Sequence, residues 1–452
     1  MYVLAVSSAA AFGGLLYGFV LSVIAGAETA IAERFSLGSL EVGLVVSNLD
    51  LGAAAGALAA GLLGDRLGRK RAILAIAWLY LASSVITALA PGVPAILFGR
   101  LLAGLAVGAS LVLPLFIAEI SPARRRGFLV AFVQVAIVIG ILLAYVVSWL
   151  LVDCGASSWR WMFGVGVVPA AAFLVSAAFL PESPRWLVAW GRTDEALAIL
   201  TRLEGRDRAV QAVQEIREAV RAETGGWRDV FQPANRRALK VGLLVAATSV
   251  AVGINAVILY GPSILMRGGE GLRAALFGSM LLGAVNLAAT LAAVPWIDRI
   301  GRKPLLLAGL AGTALSMAAL GASFRPGPAE GGGGSVWAFV SILVFVASYA
   351  VSLGPITWVL IAEIFPTRVR GAAMAASLVV MYLADFAVTF LFPSLMARMG
   401  RHGFFVFVAI SVVAALLVAA FVPETKGRSL EELEAFWARD GCSENSNTEI
   451  RS

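Results

Sequence analysis

The chain has 452 residues, of which 60% are hydrophobic and 14% charged, with a formal net charge of +7. A soluble domain carries about 25% charged residues, so a water-soluble globular domain is excluded. The modest positive balance needs only anionic lipid headgroups, not nucleic acid, and two cysteines, Cys154 and Cys442, exclude a disulfide framework.

The apolar residues are organised in twelve runs, each near the ~20 residues that cross the hydrocarbon core of a bilayer at ~1.5 Å per residue. In chain order they are span 1 at 8–27, span 2 at 41–63, span 3 at 72–90, span 4 at 95–118, span 5 at 128–151 and span 6 at 161–180. Spans 7 to 12 follow at 241–260, 274–297, 305–323, 336–361, 372–391 and 403–422. Span 1 reads as a retained helix and not as a cleaved leader, because no Lys or Arg precedes Arg34. The polar, helix-patterned segment 182–240 reads as a cytoplasmic helical linker between an N-terminal six-helix bundle (1–181) and a C-terminal one (241–422). Residues 423–452 form a cytoplasmic tail, and "PAEGGGGS" (328–335) is a flexible loop.

Assigning the inter-span segments alternately to two sides places 27 of the 35 Lys and Arg on the side that holds both termini. The positive-inside rule makes that side cytoplasmic. Localisation is therefore expected in the cell membrane, multi-pass, with both termini inside. The lone His402 falls in an external loop with no Cys, His or carboxylate cluster beside it, and reads as solvated.

The two bundles are repeats. "GDRLGRKR" (64–71) returns as "DRIGRKP" (298–304), "AEISPARRRG" (118–127) as "AEIFPTRVRG" (362–371), and "LPESPR" (180–185) as "VPETKGR" (422–428). Three matched pairs in one order indicate duplication of a six-helix unit. Parallel halves around a central cavity are a standard transporter architecture, so the fold class is an all-α integral membrane protein of twelve transmembrane helices in two six-helix parallel repeats.

These motifs carry a resemblance. With "PESPRWL", "GRLLAGLAVG" (99–108), "GINAV" (253–257), "GPITW" (354–358) and "PETKGRSLEE" (423–432) in this order, the chain resembles, nearly end to end, a sugar porter of the major facilitator superfamily. The resemblance implies the major facilitator fold, transport by alternating access, and a set of site positions.

Charged residues at the cytoplasmic helix ends are Asp65, Arg66, Arg69, Glu119, Arg126, Glu182 and Arg185 in the first half. Asp298, Arg299, Arg302, Glu363, Arg370 and Glu424 stand at the same places in the second. Opposite charges there can lock two rigid bundles together. Glu119 and Arg126 are seven residues apart, as are Glu363 and Arg370, which would put each pair on one helical face. By resemblance this network closes the cytoplasmic gate.

For the cargo, Gln134, Ile137 and Ile141 share one face of span 5. The resemblance makes this the sugar-contacting face, with Asn255, Asn286 and the aromatic floor Trp358 completing the site and Tyr260 serving as an external gate. Amides match hydroxyls because each offers donor and acceptor, and an aromatic face covers the C–H surface of a sugar ring. Other family positions depart. A Gln-Gln pair is replaced by Ser249 and Val250, a position acidic in some glucose carriers is Ala350, and a polar-plus-Trp pair is Met381 and Tyr382. Each hydroxyl left without a partner costs roughly 1–3 kcal/mol, so a hexose in the usual pose would be held poorly, and the cargo is expected to be smaller or less hydroxylated, or held differently.

In proton-coupled sugar porters an acid follows the "GGLLYGF"-like run of span 1 and pairs with the span 4 Arg. Here Gly13 to Phe19 keep the run and Arg100 keeps the base, but Val20 stands at the acidic position, as in facilitators, which lack that acid. A buried guanidinium without a partner is costly. Val20, Asp50 and Arg100 lie within roughly 6 Å of one depth at ~1.5 Å per residue. Asp50 is therefore expected to pair with Arg100 and, if that pair opens during transport, to carry a proton. Asp385 on span 11, where the family usually has Asn, reads either as a protonated hydrogen-bond donor or as an acid facing water. Asp50, Arg100 and Asp385 are thus the candidates for proton coupling, with facilitator and proton symporter both open.

The expected function is secondary transport of a sugar or polyol by a monomer in the lipid bilayer, with no nucleic-acid partner. The alternatives are transport of another small solute on the same scaffold, or a non-transporting sugar sensor. The tail of about 29 residues after Pro423 argues against the sensor, whose kind carries long tails. No Ser-His-Asp arrangement, phosphate loop or metal cluster stands out, so no enzyme, cofactor or metal is expected.

Overall fold

The computed structural model describes residues 2–121, 126–222, 227–267, 269–324, 334–366 and 369–426. The tail from 427, with Cys442, most of the "PAEGGGGS" loop, and the side chains of Arg126 and Asp298 lie outside the described residues. Helices long and apolar enough to cross a membrane account for every predicted span; spans 11 and 12 are joined through the short turn Gly400–His402 into one helical stretch over 370–421. This is a multi-pass membrane protein.

Spans 2, 3, 5, 8, 9, 11 and 12 are single helices: Ser39–Leu67, Arg69–Ala88, Arg126–Leu151, Leu272–Ile300, Arg302–Ser323, Arg370–Met399 and Gly403–Phe421. The others are interrupted. Span 1 is Tyr2–Ser22 and Ile24–Phe35, span 4 is Val93–Ala109 and Val112–Ile120, and span 6 is Ser158–Val165 and Val167–Ala178. Span 7 is Arg236–Ala251, Ile254–Leu259 and Gly261–Arg267, and span 10 is Gly334–Val351 and Leu353–Ile364. Discontinuous helices at repeat interfaces are where transporters place their cargo.

The duplication governs the packing. In the first half span 1 packs on 5, span 2 on 4, span 3 on 4 and 6; in the second, span 7 packs on 11, span 8 on 10, span 9 on 10 and 12. The two most extensive contacts between the halves, span 2 with 11 and span 5 with 8, are each other's repeat equivalents, and span 1 also touches span 7. In lipid, tails are as apolar as leucine, so close backbone approach through small residues drives association. Gly52 and Gly56 of span 2 face Gly104 and Gly108 of span 4. A Cβ on Gly104 would lie 1.9 Å from the Leu49 carbonyl oxygen, and one on Gly108 1.9 Å from that of Ala53.

The recurring loop motifs have a common physical basis. Gly68 and Gly301, in the two D-R-x-G-R-K loops, adopt φ of +91° and +107°, a region that favours glycine. Each turns the chain so that span 3 or span 9 begins at once, and a glutamate from the far end of the same bundle sits over that helix N-terminus. Glu182 accepts Lys70 N–H at 3.1 Å; Glu424 accepts Arg302 N–H at 3.0 Å and Lys303 N–H at 3.1 Å. A carboxylate suits the orphan N–H groups and positive dipole end of a helix. Burial works against ionisation of Glu424, but the backbone N–H groups of Lys426, Arg302, Lys303 and Thr425 outweigh it and hold the carboxyl below the usual carboxylate range.

Glu424→Gln should therefore lower stability at neutral pH by a few tenths to about 1 kcal/mol, the usual worth of an anion there. With the folded pKa depressed below an unfolded value of ~4.3, the difference between wild type and variant should be full above that value. It should close as pH falls through the folded pKa. Thermal unfolding in detergent at neutral pH and near pH ~4 reads this; a difference that grows on acidification would sink the cap.

Between the bundles, helices Pro184–Ala189, Thr193–Glu204 and Arg206–Ala222 enclose a small core of Leu187, Val188, Ala196, Leu200, Ala209 and Val213. Trp186 and Trp190 donate their indole N–H groups to the Asp65 carbonyl, at 2.8 and 3.2 Å, docking this segment on the end of span 2.

Candidate transport site

On span 5, Gln134 and Ile141 are two turns apart, and Tyr145 lies one turn further on the same face. The Tyr145 hydroxyl donates to the Ile258 carbonyl of span 7 at 2.7 Å, so this face is turned toward the second half. Ile137 lies at its edge, and its backbone packs against Gly18 of span 1. Gln134 and Ile137 are half-buried and Ile141 is buried. Across the interface Gly283 of span 8 packs on Leu142 and Tyr145, which brings the buried Asn286, one turn further on span 8, to the same seam.

Span 7 breaks in the "GINAV" motif. Gly253 has φ +91°, and a Cβ there would lie 2.8 Å from the Phe407 ring, so conformation and space both require glycine. The break starts a new helix at Ile254 and sets Asn255 in its first turn. The Asn255 amide donates from Nδ2 to the Asp385 carboxylate of span 11. Ser249, by contrast, donates its hydroxyl to Ala246 of its own helix at 2.7 Å. Span 10 breaks at Ser352, with φ −124° and ψ −87°, and its second piece carries the half-buried Trp358. Tyr382 is buried next to Tyr17 of span 1.

Asp50 and Arg100 are both buried, but they do not form the expected ion pair in this conformation. Arg100 donates from Nη2 to the Val46 carbonyl at 2.7 Å, and its Nε and Nη1 have no partner. Helix register explains the miss. Leu49, Gly52, Ala53 and Gly56 form the face of span 2 that meets span 4, whereas Gly43, two turns before Asp50, packs on the Phe390 carbonyl of span 11. Asp50 therefore turns to span 11, where its Oδ2 lies 3.3 Å from the Thr389 hydroxyl. Val20 does face Arg100: both border a cavity of about 10 Å³ with Ser83, Ser84 and Thr87, room for about one water.

Tyr260 is buried, stacks on Phe392 with 5.1 Å between ring centroids, and donates to the Thr389 carbonyl at 3.0 Å. Nearby is a residue that sequence reasoning missed. Span 1 continues to Phe35, beyond its predicted end at 27, so the half-buried Glu28 lies within it and accepts the Ser263 hydroxyl of span 7 at 2.6 Å. The signal was present in the unbroken helix-forming run "AGAETAIAERF". Arg273 pairs with Asp153 across the same seam. These contacts between halves lie toward the face opposite the termini.

At the termini-bearing face, charged contacts are made within each half. Arg69 bridges Asp65 at 2.8 Å and Glu119 at 3.1 Å; Arg302 pairs with Glu363 at 3.0 Å, and Thr425 donates to Glu363 at 2.6 Å. Arg66 and Arg299 are exposed, while Arg185 and Arg370 are half-buried. The expectation that Glu119 and Arg126, or Glu363 and Arg370, share a helical face is overturned. Helix ends intervene at Ile120 and Ile364, because Ser121 and Phe365 precede Pro122 and Pro366 and are extended, the conformation that a following proline imposes.

A sequence model described as "Sugar (and other) transporter" matches residues 6–437. The arabinose-proton symporter of Bacillus subtilis is 35% identical over 447 residues, covering 97% of this chain and 96% of the relative. The inward open conformation of the xylose transporter XylE from Escherichia coli superposes with a TM-score of 0.84 at 32% identity, covering 96% of this chain and 100% of that one. XylE bound to 6-bromo-6-deoxy-D-glucose gives 0.80 at 32% identity, with 96% and 99% covered. With the duplicated bundles, the broken spans and the amide-bearing seam in place, this chain belongs to the sugar (and other) transporter family, the sugar porters of the major facilitator superfamily.

Proposed function

We propose that the protein carries a sugar or polyol across the cell membrane by alternating access, as a monomer, with its termini-bearing face in the cytoplasm. The carrying observation is the asymmetry of the seam. Tyr145–Ile258, Glu28–Ser263 and Arg273–Asp153 hold the halves together toward one face, while Arg69–Glu119 and Arg302–Glu363 hold charges within each half at the other. A rocker needs contacts that hold the halves together at one face while charges at the other are held by partners within their own half. With 27 of 35 Lys and Arg on the termini-bearing side, the closed end is external and the arrangement is inward-facing.

Residues 1–181 and 241–422 act as the two rigid bundles, 182–240 as the linker and 423–452 as the tail. Gln134, Ile137, Ile141, Asn255, Asn286 and Trp358 line the cargo site, with Ser249 and Tyr382 at its edge and Tyr260 at the external gate. The helix-end charges of the two loop motifs, with Arg126 and Arg370, form the cytoplasmic gate when the halves rock the other way.

Counterflow in proteoliposomes with arabinose, xylose, glucose and myo-inositol tests the reading. At least one should exchange faster than protein-free vesicles allow and should also raise the thermal unfolding temperature, since a ligand of the folded state stabilises by mass action. No exchange and no stabilisation with any of the four would overturn sugar transport.

A further inference from the structure

The first element of span 1 lacks an acid facing Arg100, yet two other acids are buried at the seam, one on each half: Asp50 on span 2 and Asp385 on span 11. The groups facing them are Tyr17 from span 1, Arg100 from span 4, Tyr260 from span 7, Tyr349 from span 10 and Tyr382 from span 11. Arg100 is the one base among these. Two carboxylates against one guanidinium leave one uncompensated negative charge inside the membrane, a costly arrangement.

The geometry shows where a proton is needed. The Thr389 hydroxyl has a single proton, and it lies 2.7 Å from the Asp385 carbonyl and 3.3 Å from Asp50 Oδ2. If that proton goes to the nearer carbonyl, two bare oxygens face each other between Asp50 and Thr389. A proton on Asp50 resolves this, because Asp50 then donates to Thr389, which donates to the main-chain carbonyl of Asp385. The same proton neutralises the cluster. At its other end Asp385 accepts from Asn255 through Oδ2 while its buried Oδ1 has no partner, so the cluster ends on an amide of the cargo site.

We propose that Asp50 and Asp385 form a one-proton site across the two halves, in which the proton on Asp50 closes the Asp50–Thr389 contact and offsets the charge of the Asp385 carboxylate, which meets cargo through Asn255. The proton comes from bulk water and returns to it, and no other bond changes. Coupling thus moves from the span 1 acid, here Val20, to the span 2–span 11 contact. The proposal rests on the transport reading only for the identity of the cargo.

The test has a cargo-free arm and a cargo arm. Infrared difference spectra of the purified protein between neutral and alkaline pH should show the C=O stretch of a protonated carboxyl. It should vanish in Asp50→Asn, whose amide can still donate to Thr389 and keep the fold, and in Asp385→Asn, where the cluster is already neutral. In proteoliposomes, arabinose or whichever of the four probes exchanges fastest should drive proton uptake by wild type and none by Asp50→Asn. A wild type without the band, or a band unchanged in both variants, overturns the proton site even if counterflow runs. A band lost in both variants, with no exchange of any probe by wild type, upholds the proton site and overturns the transport reading instead.

Discussion

Gly104→Ala is expected to abolish most of the folded protein, although it adds a single methyl group. The new Cβ would lie 1.9 Å from the Leu49 carbonyl oxygen and 2.9 Å from both Ala53 N and Gly52 Cα. All three are backbone atoms, so no rotamer change gives relief and span 2 must move away from span 4. Overpacking usually costs 1–3 kcal/mol; here whole helices separate, breaking the Asn48–Leu97 bond at 2.5 Å and the Arg100–Val46 bond at 2.7 Å. We expect a cost at or above ~3 kcal/mol and loss of the monodisperse peak in size-exclusion chromatography. Gly61→Ala on span 2, the helix that Gly104 packs against, is the control. Nothing lies within 4 Å of a Cβ there, and alanine is the better helix former by about 1 kcal/mol. Equal yield and unfolding temperature for Gly104→Ala and wild type would show that spans 2 and 4 are not in this contact.

Trp358→Ala should weaken cargo binding at least about tenfold, equivalent to 1.4 kcal/mol, with folded yield close to wild type. The break at Ser352 lets the second piece of span 10 take its own direction. Trp358 on that piece is half-buried, with part of its surface packed on the core and part left open. An aromatic face open on one side offers C–H contact to a ring at little entropic cost. Isothermal titration with a sugar that passes the counterflow test reads the effect. An unchanged affinity would remove Trp358 from the site, whereas a lost yield would make it a packing residue only.

Much of the architecture was legible in the chain. Spans follow from the ~20-residue hydrocarbon requirement, and the duplication follows from three motif pairs, which the equivalent packing of the two halves bears out. The co-occurrence of D-R-x-G-R-K with P-E-[ST] was visible as text, but its cause was not. Gly68 and Glu182 are 114 residues apart, and only the folded bundle lays the carboxylate over the helix N-terminus. The one-face pairing of Glu119 with Arg126 failed because a proline was read through as helix. Glu28 was missed because the span was ended by hydropathy, while its helix continues for two further turns.

The opening of the site was decided by tertiary structure alone. Sequence placed Asp50 and Arg100 in the membrane at similar depth, which depends only on rise per residue and therefore can be counted. Which neighbour Asp50 meets depends on rotation about the helix axis, at about 100° per residue. That rotation is set by where Gly52 and Gly56 lock onto span 4. Once those glycines seat, Asp50 is carried around to Thr389 of the other half, and Arg100 is left on the Val46 carbonyl. Composition determined that a charge was buried; the register of two helices determined its partner.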